Sequence, residues 1–389
     1  MNSLPSQFES FAQARKNGFL AAKEVKDSGR KMVGTFCCFT PSEIVIAAKA
    51  VPVGVCGVSE EVIPAAEKIL PRNLCPLIKS SYGHAITDTC PYFYFSDLLI
   101  GETTCDGKKK MYEELGKVKP THIMQLPNRA TGKHEFNLWK DEIILLKEVL
   151  EKELNTTISE DDIKDAIKDK NEERRLLNAY YDLGKLEPSA LTGMELYQVS
   201  YQSQFKFDRD ELKANLRKII DDTKARYENG QCPVKKDAPR ILITGSPIGG
   251  CTNKIINTIE ESGGSIVAYE LCSSIRNNRE LVDESNPDIY DALAKKYLNI
   301  GCACMMNNDK RIQLLGDLIE EFKIDGVIDV ALQSCHPFNV EGNRIKEFVV
   351  NDKNVHYMAI ETDYSQSDTE QLRTRFEAFI EMIEDSKAY

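Results

Sequence analysis

The chain has 389 residues, 42% of them hydrophobic and 29% charged, and a formal net charge of −11 at pH 7. That length asks for two domains with an addition rather than one core. The absence of a basic block excludes a nucleic-acid footprint, and the absence of a run of about 18 apolar residues excludes an ordinary membrane helix.

Met1 to Gln7 has neither a basic n-region nor an apolar h-region, so no secretory signal is expected and the expected location is cytoplasmic. Residues 8–28 carry apolar residues at helical spacing, with Gly29 as the stop. Strand-like runs follow at 31–36, 51–57, 97–102 and 122–126, with helices expected at 41–50, 59–69 and 107–116. Strand, crossover helix, strand is the signature of a parallel α/β domain. The triplet Lys108-Lys109-Lys110 reads as the solvated first turn of a helix.

From about 134 to 230 the pattern is helical. Phe136, Trp139, Ile143, Leu146, Leu150 and Leu154 recur every three or four residues. A second helix starts at Ser159, with Asp162 completing a capping box, and stops at Gly184; a third spans 208–228. A second α/β set has strands at 240–245, 266–270, 326–332 and 356–361, separated by helices at 252–262, 310–322, 340–350 and 366–385. The expected fold is therefore α/β: two Rossmann-like domains with parallel sheets plus a helical insertion. The divisions are 1–133, 134–235 and 236–389.

Twelve cysteines in a reducing compartment are not expected to form disulfides. In open parallel sheets, ligands sit beyond the carboxyl ends of the strands. Cys37-Cys38, Cys105 and Cys335 all fall directly after predicted strands, which points to one interdomain cleft. Cys75 and the pair Cys302 and Cys304 lie in loops before helices, where free N–H groups lower a thiol's pKa and suit an anionic centre. Cys56 reads as a buried small hydrophobe, and Cys251 and Cys272 lean the same way. Cys90 is undecided, and Cys232 sits in a linker. Zinc is the competing reading, but its structural sites favour paired knuckles, and this chain has no C-x-x-C.

Five strings carry more information than spacing: LCPLIKSSYG at 74–83, CPYFYFSDLLIGETTCDGKKKMYE at 90–113, GCACMMNNDKR at 301–311, GVIDVALQSCH at 326–336 and AIETDYSQSD at 359–368. Together they resemble the 2-hydroxyacyl-CoA dehydratase and benzoyl-CoA reductase superfamily, and within it the double-cubane cluster proteins. The resemblance covers nearly the whole chain, and TTCDGKKK is its most specific element. It implies one cubane held by Cys75, Cys105 and Cys335. In the double-cubane branch it implies a second cubane joined by a bridging sulfide, with Cys37, Cys302 and Cys304 as further ligands and Cys38 in reserve. It also implies an [8Fe-9S] cofactor, or [4Fe-4S] in the dehydratases, and a homodimer that takes electrons from an ATP-hydrolysing [4Fe-4S] activator protein. The chain itself has no G-x-x-x-x-G-K-[ST] phosphate loop.

Within this frame His336 and Glu361 are the candidate catalytic residues, for proton delivery beside Cys335 and at the end of the last strand. Asp363 is a further relay candidate, and Asp106 a helix cap. GSPIGGC at 245–251 reads either as an anion cradle or as a tight helix–sheet turn. Tyr92 to Phe95 reads either as a wall of the site or as a buried lead into the next strand. The expected function is a double-cubane reductase acting on a small molecule. The alternatives are a 2-hydroxyacyl-CoA dehydratase component that eliminates water through a radical, and a non-catalytic electron-transfer or metal-holding protein.

Overall fold

The computed structural model describes residues 17–387. It contains two four-stranded sheets, every pairing in them parallel. The first is built from β1 (Met32–Thr35), β2 (Val51–Gly54), β3 (Leu98–Glu102) and β4 (Thr121–Met124), in the order β2-β1-β3-β4. The second is built from β5 (Arg240–Gly245), β6 (Ser265–Glu270), β7 (Gly326–Leu332) and β8 (His356–Thr362), in the order β6-β5-β7-β8. The two halves thus share one topology. Each of the eight strands overlaps an expected one, and β5 and β7 match residue for residue.

The inner strands β3, β5 and β7 are buried at every position, as parallel strands covered on both faces must be. The edge strands β4 and β8 are only partly buried, and β8 alternates between exposed and buried over its last four residues. Edge strand β6 is an exception: it is wholly buried. Helix Gly193–Gln202 covers it, close enough that a Cβ on Gly193 would lie 2.6 Å from Ile266, and the Tyr269 hydroxyl donates to the Gly193 carbonyl at 2.9 Å.

That helix and helix Ile289–Leu298 were not legible from periodicity. GMELYQVSYQ opens on glycine and is rich in aromatics, so no apolar stripe stands out; its capping box, Thr192 with Glu195, was the readable signal. Ser159 and Asp162 do form the expected capping box of helix Glu160–Tyr181. Helix His336–Glu347 begins four residues before its expected start, because Pro337 fits the first turn and Cys335 occupies the N-cap. Of the helix expected over 8–28, Gly18–Asp27 is present, and the part before residue 17 lies outside the described residues.

Two apolar clusters hold the fold. One runs through both halves, from Ala22 and Met32 to Phe376 and Ile383. The other lies on the first sheet's opposite face, where Trp139, Ile143 and Leu146 of helix Lys133–Leu154 pack with Leu293 and Tyr297 of helix Ile289–Leu298. A buried ion pair crosses the same boundary: Arg174 meets Glu43 at 2.7 Å, and the Tyr297 hydroxyl donates to Glu43 at 2.6 Å. Among the described residues no helix is long and apolar enough to cross a membrane.

Candidate metal centre

Six cysteines follow strand ends closely. Cys37 lies two residues beyond β1, Cys56 two beyond β2 and Cys272 two beyond β6, while Cys38, Cys105 and Cys335 lie three beyond β1, β3 and β7. Cys105 and Cys335 also occupy the N-caps of helices Asp106–Leu115 and His336–Glu347, and Cys75 caps Pro76–Thr87. At an N-cap the first-turn N–H groups point back at the sulfur. The amides of Leu77 and Ile78 donate to Cys75, that of Lys108 to Cys105 and that of Phe338 to Cys335. N-cap position alone does not select these thiols, because Cys90 and Cys251 cap helices as well.

All twelve cysteines are free, and six of them pair sulfur to sulfur. Cys37 hydrogen-bonds Cys38, Cys75 bonds Cys335, and Cys302 bonds Cys304. Within each pair one thiol falls and its partner rises, because the bond favours a thiolate on one sulfur and the proton on the other. Cys38 holds Cys37 down to about 5 against the effect of burial, with help from Lys108. Cys335 holds Cys75 down to about 7, and Cys304 lowers Cys302. Cys38, Cys304 and Cys335 are raised by the same bonds, and Cys105 by burial.

Cys37 is the hub, within electrostatic reach of Cys56, Cys105, Cys272, Cys302 and Cys304. Cys75, Cys105 and Cys335 form a second mutually interacting set. The six predicted cysteines and Cys38 therefore share one neighbourhood, contributed by both halves. Among the described residues, no three His, Cys, Asp or Glu side chains close around a position for a single metal ion.

Other cysteines are placed differently. Cys251 is buried, donates to the Ile248 carbonyl at 3.5 Å and is pushed up to about 12. Cys232 lies beside Arg226. Cys56, expected to be a mere hydrophobe, is half-buried and donates to the Phe36 carbonyl at 3.0 Å. Cys56 and Cys272 line a cavity of about 470 Å³ together with Cys37, Cys38 and Thr40.

The solvated reading of the lysine triplet is corrected at one position. Lys109 and Lys110 pair at the surface with Asp106 and Glu113. Lys108 instead turns inward, and its ammonium donates to the Phe36 carbonyl at 2.8 Å. Burial opposes its charge, but Tyr112 and the thiols of Cys37, Cys56 and Cys105 outweigh that and raise its pKa well above the usual lysine range. In the second half, Arg276 faces Cys302 and Cys272 while bound to Glu270. Two cations thus flank the thiols, one from each half. The sequence signal for Lys108 was its position one helical turn after Cys105.

His336 and Glu361 are both exposed, on the outer side of the helix that Cys335 caps; Glu361 accepts from Asn339 at 3.1 Å. Asp363 caps the following turn through the Ser365 amide at 2.8 Å. Asp106 lies at the start of helix Asp106–Leu115, with Cys105 in the cap position itself. GSPIGGC is a tight turn: Gly245 has φ +118, and a Cβ there would lie 2.1 Å from the Val330 carbonyl oxygen. Tyr92 stacks on Phe205 at 4.8 Å and packs toward the helical segment.

The residue not foreseen is Glu102, the last of β3. It is wholly buried and accepts from the Thr40 hydroxyl at Oε1, while Oε2 has no partner. Burial, reinforced by Cys37, pushes its carboxyl up to about 8, so it is neutral at pH 7. A glutamate closing the otherwise apolar run Leu98 to Gly101 was the available signal.

Comparison with known proteins places this geometry. Residues 37–383 match the family model of the 2-hydroxyglutaryl-CoA dehydratase D-component. The chain is 50% identical to the "Putative dehydratase subunit YjiM" of Escherichia coli (strain K12), over 98% of this chain and 99% of that one. It is 26% identical to the (R)-phenyllactyl-CoA dehydratase beta subunit of Clostridium sporogenes, covering 93% of this chain and 94% of that one. It is 24% identical to a benzoyl-CoA reductase subunit of Thauera aromatica, covering 83% and 84%.

Proposed function

The chain belongs to the 2-hydroxyglutaryl-CoA dehydratase D-component family, and on that premise we propose that it is an iron–sulfur reductase whose thiols hold a double-cubane [8Fe-9S] centre. Cys75, Cys105 and Cys335 bind one cubane; Cys37, Cys302 and Cys304 bind the other, with Cys38 in reserve. An ATP-hydrolysing [4Fe-4S] activator supplies the electrons, the chain works as a homodimer, and the acceptor is a small molecule. The observation that carries this reading is the gathering of the second cysteine set around Cys37, beside the first, from both halves of one chain.

The donor set fits such a centre. Thiolate is its normal ligand, and the lowered partner of each sulfur pair is already poised to be one. When bound, the centre supplies single electrons at low potential. The chain's own groups do the rest. Helix N-termini aim N–H groups at Cys75, Cys105 and Cys335, and Lys108 and Arg276 offset accumulated negative charge from opposite sides. Cys75 is buried in the apolar cluster that runs through both halves, and exclusion of water there would raise the cost of adding charge and keep the potential of a bound centre low. His336 and Glu361, at the surface beside Cys335, are proposed to exchange protons with solvent.

The names of the relatives favour a second reading, a dehydratase component with one [4Fe-4S] centre. Single Cys→Ser variants, purified without oxygen, separate the two. C37S, C302S and C304S are each expected to lose about half of the iron and sulfide, whereas C251S keeps all of it. Unchanged iron in the first three overturns the double-cubane assignment and leaves the dehydratase reading.

A further inference from the structure

Cys302 and Cys304 lie in the loop that leads into helix Asp309–Glu321, and Cys335 caps helix His336–Glu347. One carboxylate joins these two elements. Glu341, on helix His336–Glu347, accepts from the Asn308 side-chain amide at Oε1, at 2.8 Å, and from the Arg311 guanidinium at Oε2. Asn308 is the N-cap residue of helix Asp309–Glu321, yet its side chain makes no bond within that helix; Arg311 lies in the first turn. Both carboxylate oxygens therefore grip the end of the cysteine loop. The start of the loop meets the same place, because a Cβ on Gly301 would lie 2.7 Å from the Arg311 amide nitrogen. Between the two ends the Met305 amide donates to the Cys302 carbonyl at 2.9 Å, and Asn307 turns the chain with φ +53. Loop 301–308 thus closes on Arg311, and Glu341 holds that closure from outside.

Charge balance does not require Glu341. Arg311 is wholly buried, also meets Glu270, and donates to the Thr244 hydroxyl at 2.8 Å, so it keeps a carboxylate partner without Glu341. Two other contacts cross the same boundary. Arg344 pairs with Asp309 at the surface, where an ion pair holds little. The Arg311 guanidinium lies over the Phe338 ring at 4.9 Å, a contact with a broad face. A carboxylate that engages two donors, one of them charged, fixes direction as well as distance.

We propose that Glu341 is a positioning residue: it clamps the loop bearing Cys302 and Cys304 to the helix bearing Cys335, and so sets the spacing between the two thiol sets. The clamp rests on the double-cubane reading, because two cubanes that share one sulfide need their ligands at one fixed separation. Outer groups that orient metal ligands tune the centre those ligands hold. Releasing the clamp lets the two sets move apart, and an electron on one cubane then opposes a second electron on the other less strongly.

The test uses the full, iron-loaded chain without oxygen and needs no substrate. Paramagnetic resonance follows the two successive one-electron midpoints of the centre. In E341A the gap between them should narrow by about 59 mV or more, a tenfold fall in the constant that separates the two steps, while iron content stays at the wild-type level. E341Q keeps the shape and one of the two bonds and should fall between. R344A, which removes only the exposed tie, should match the wild type. An unchanged gap in E341A, or the same narrowing in R344A, overturns the clamp and leaves the iron–sulfur reading standing. If E341A loads no iron, alkylation of the iron-free chain with iodoacetamide decides. The clamp predicts that Cys302 and Cys304 label at least about tenfold faster than in the wild type, through local opening, with Cys251 unchanged; equal rates overturn it. A wild-type chain with about four irons overturns the double-cubane reading, and the clamp with it.

Discussion

Glu102 and Glu270 each end a strand of a parallel sheet, in opposite halves, and each is wholly buried and accepts from a threonine hydroxyl, Thr40 or Thr244. They differ in what else faces them. Arg276 and Arg311 both bind Glu270, and both guanidinium groups lie over the Phe338 ring, at 5.3 and 4.9 Å. Despite burial, those cations hold the Glu270 carboxyl below its usual range. Glu102 has only Lys108 at a distance, and its carboxyl rises to about 8. Burial is common to both, so the neighbouring cations decide the charge. One carboxylate is a fixed counter-ion for the arginine beside Cys302, and the other is kept neutral by its burial.

The largest expected effect breaks the comparison at its ionised end. Glu270→Ala leaves two buried guanidinium groups without their shared partner and should cost about 3–5 kcal/mol, read as a large drop in thermal midpoint. Glu102→Gln, which replaces a neutral acid by a neutral amide, should change stability by less than about 1 kcal/mol below pH 5. Equal losses in the two variants would show that the carboxyls are in the same state.

The next effect sharpens the contrast through pH. Folded Glu102 keeps its proton up to about 8, whereas the unfolded chain releases it near the ordinary value of 4.5. Between those values the folded state binds more protons, so rising pH lowers stability by up to about 1.4 kcal/mol per unit. Denaturant titrations at pH 5 and pH 8 should therefore show Glu102→Gln gaining on the wild type as pH rises. Glu270 runs the other way: its contribution is present above the ordinary carboxylate pKa and is lost as pH falls through the lowered folded value. The smallest effect is at Thr40. Thr40→Val removes one hydrogen bond to a neutral carboxyl and should cost about 1 kcal/mol, whereas Thr244→Val removes a bond to ionised Glu270 and one from Arg311 and should cost about 1.5–3 kcal/mol or more, both measured by chemical denaturation.

The same distinction explains what was legible in the sequence. The strands were readable because parallel strands buried on both faces are short apolar runs, as in Arg240–Gly245 and Gly326–Leu332. Cysteines placed after those runs were visible as a group, since strand ends in such sheets face one side. Helix Gly193–Gln202 was missed because its burial is imposed by β6 and leaves no stripe in its own sequence. Lys108 and Glu102 were missed for a related reason. A lysine in a run of three and a glutamate at a strand end are ordinary surface residues until the segment after β1 closes over them. Their states depend on neighbours such as Phe36, Thr40 and Cys37, which lie 62 or more positions away in sequence.

On the proposed function, one chain gathers two sets of thiols around one large iron–sulfur centre. The most direct test is the iron and acid-labile sulfide content per chain after purification without oxygen, together with the paramagnetic resonance spectrum before and after reduction. A double-cubane centre gives about eight irons per chain. About four irons per chain, or zinc in their place, would contradict it.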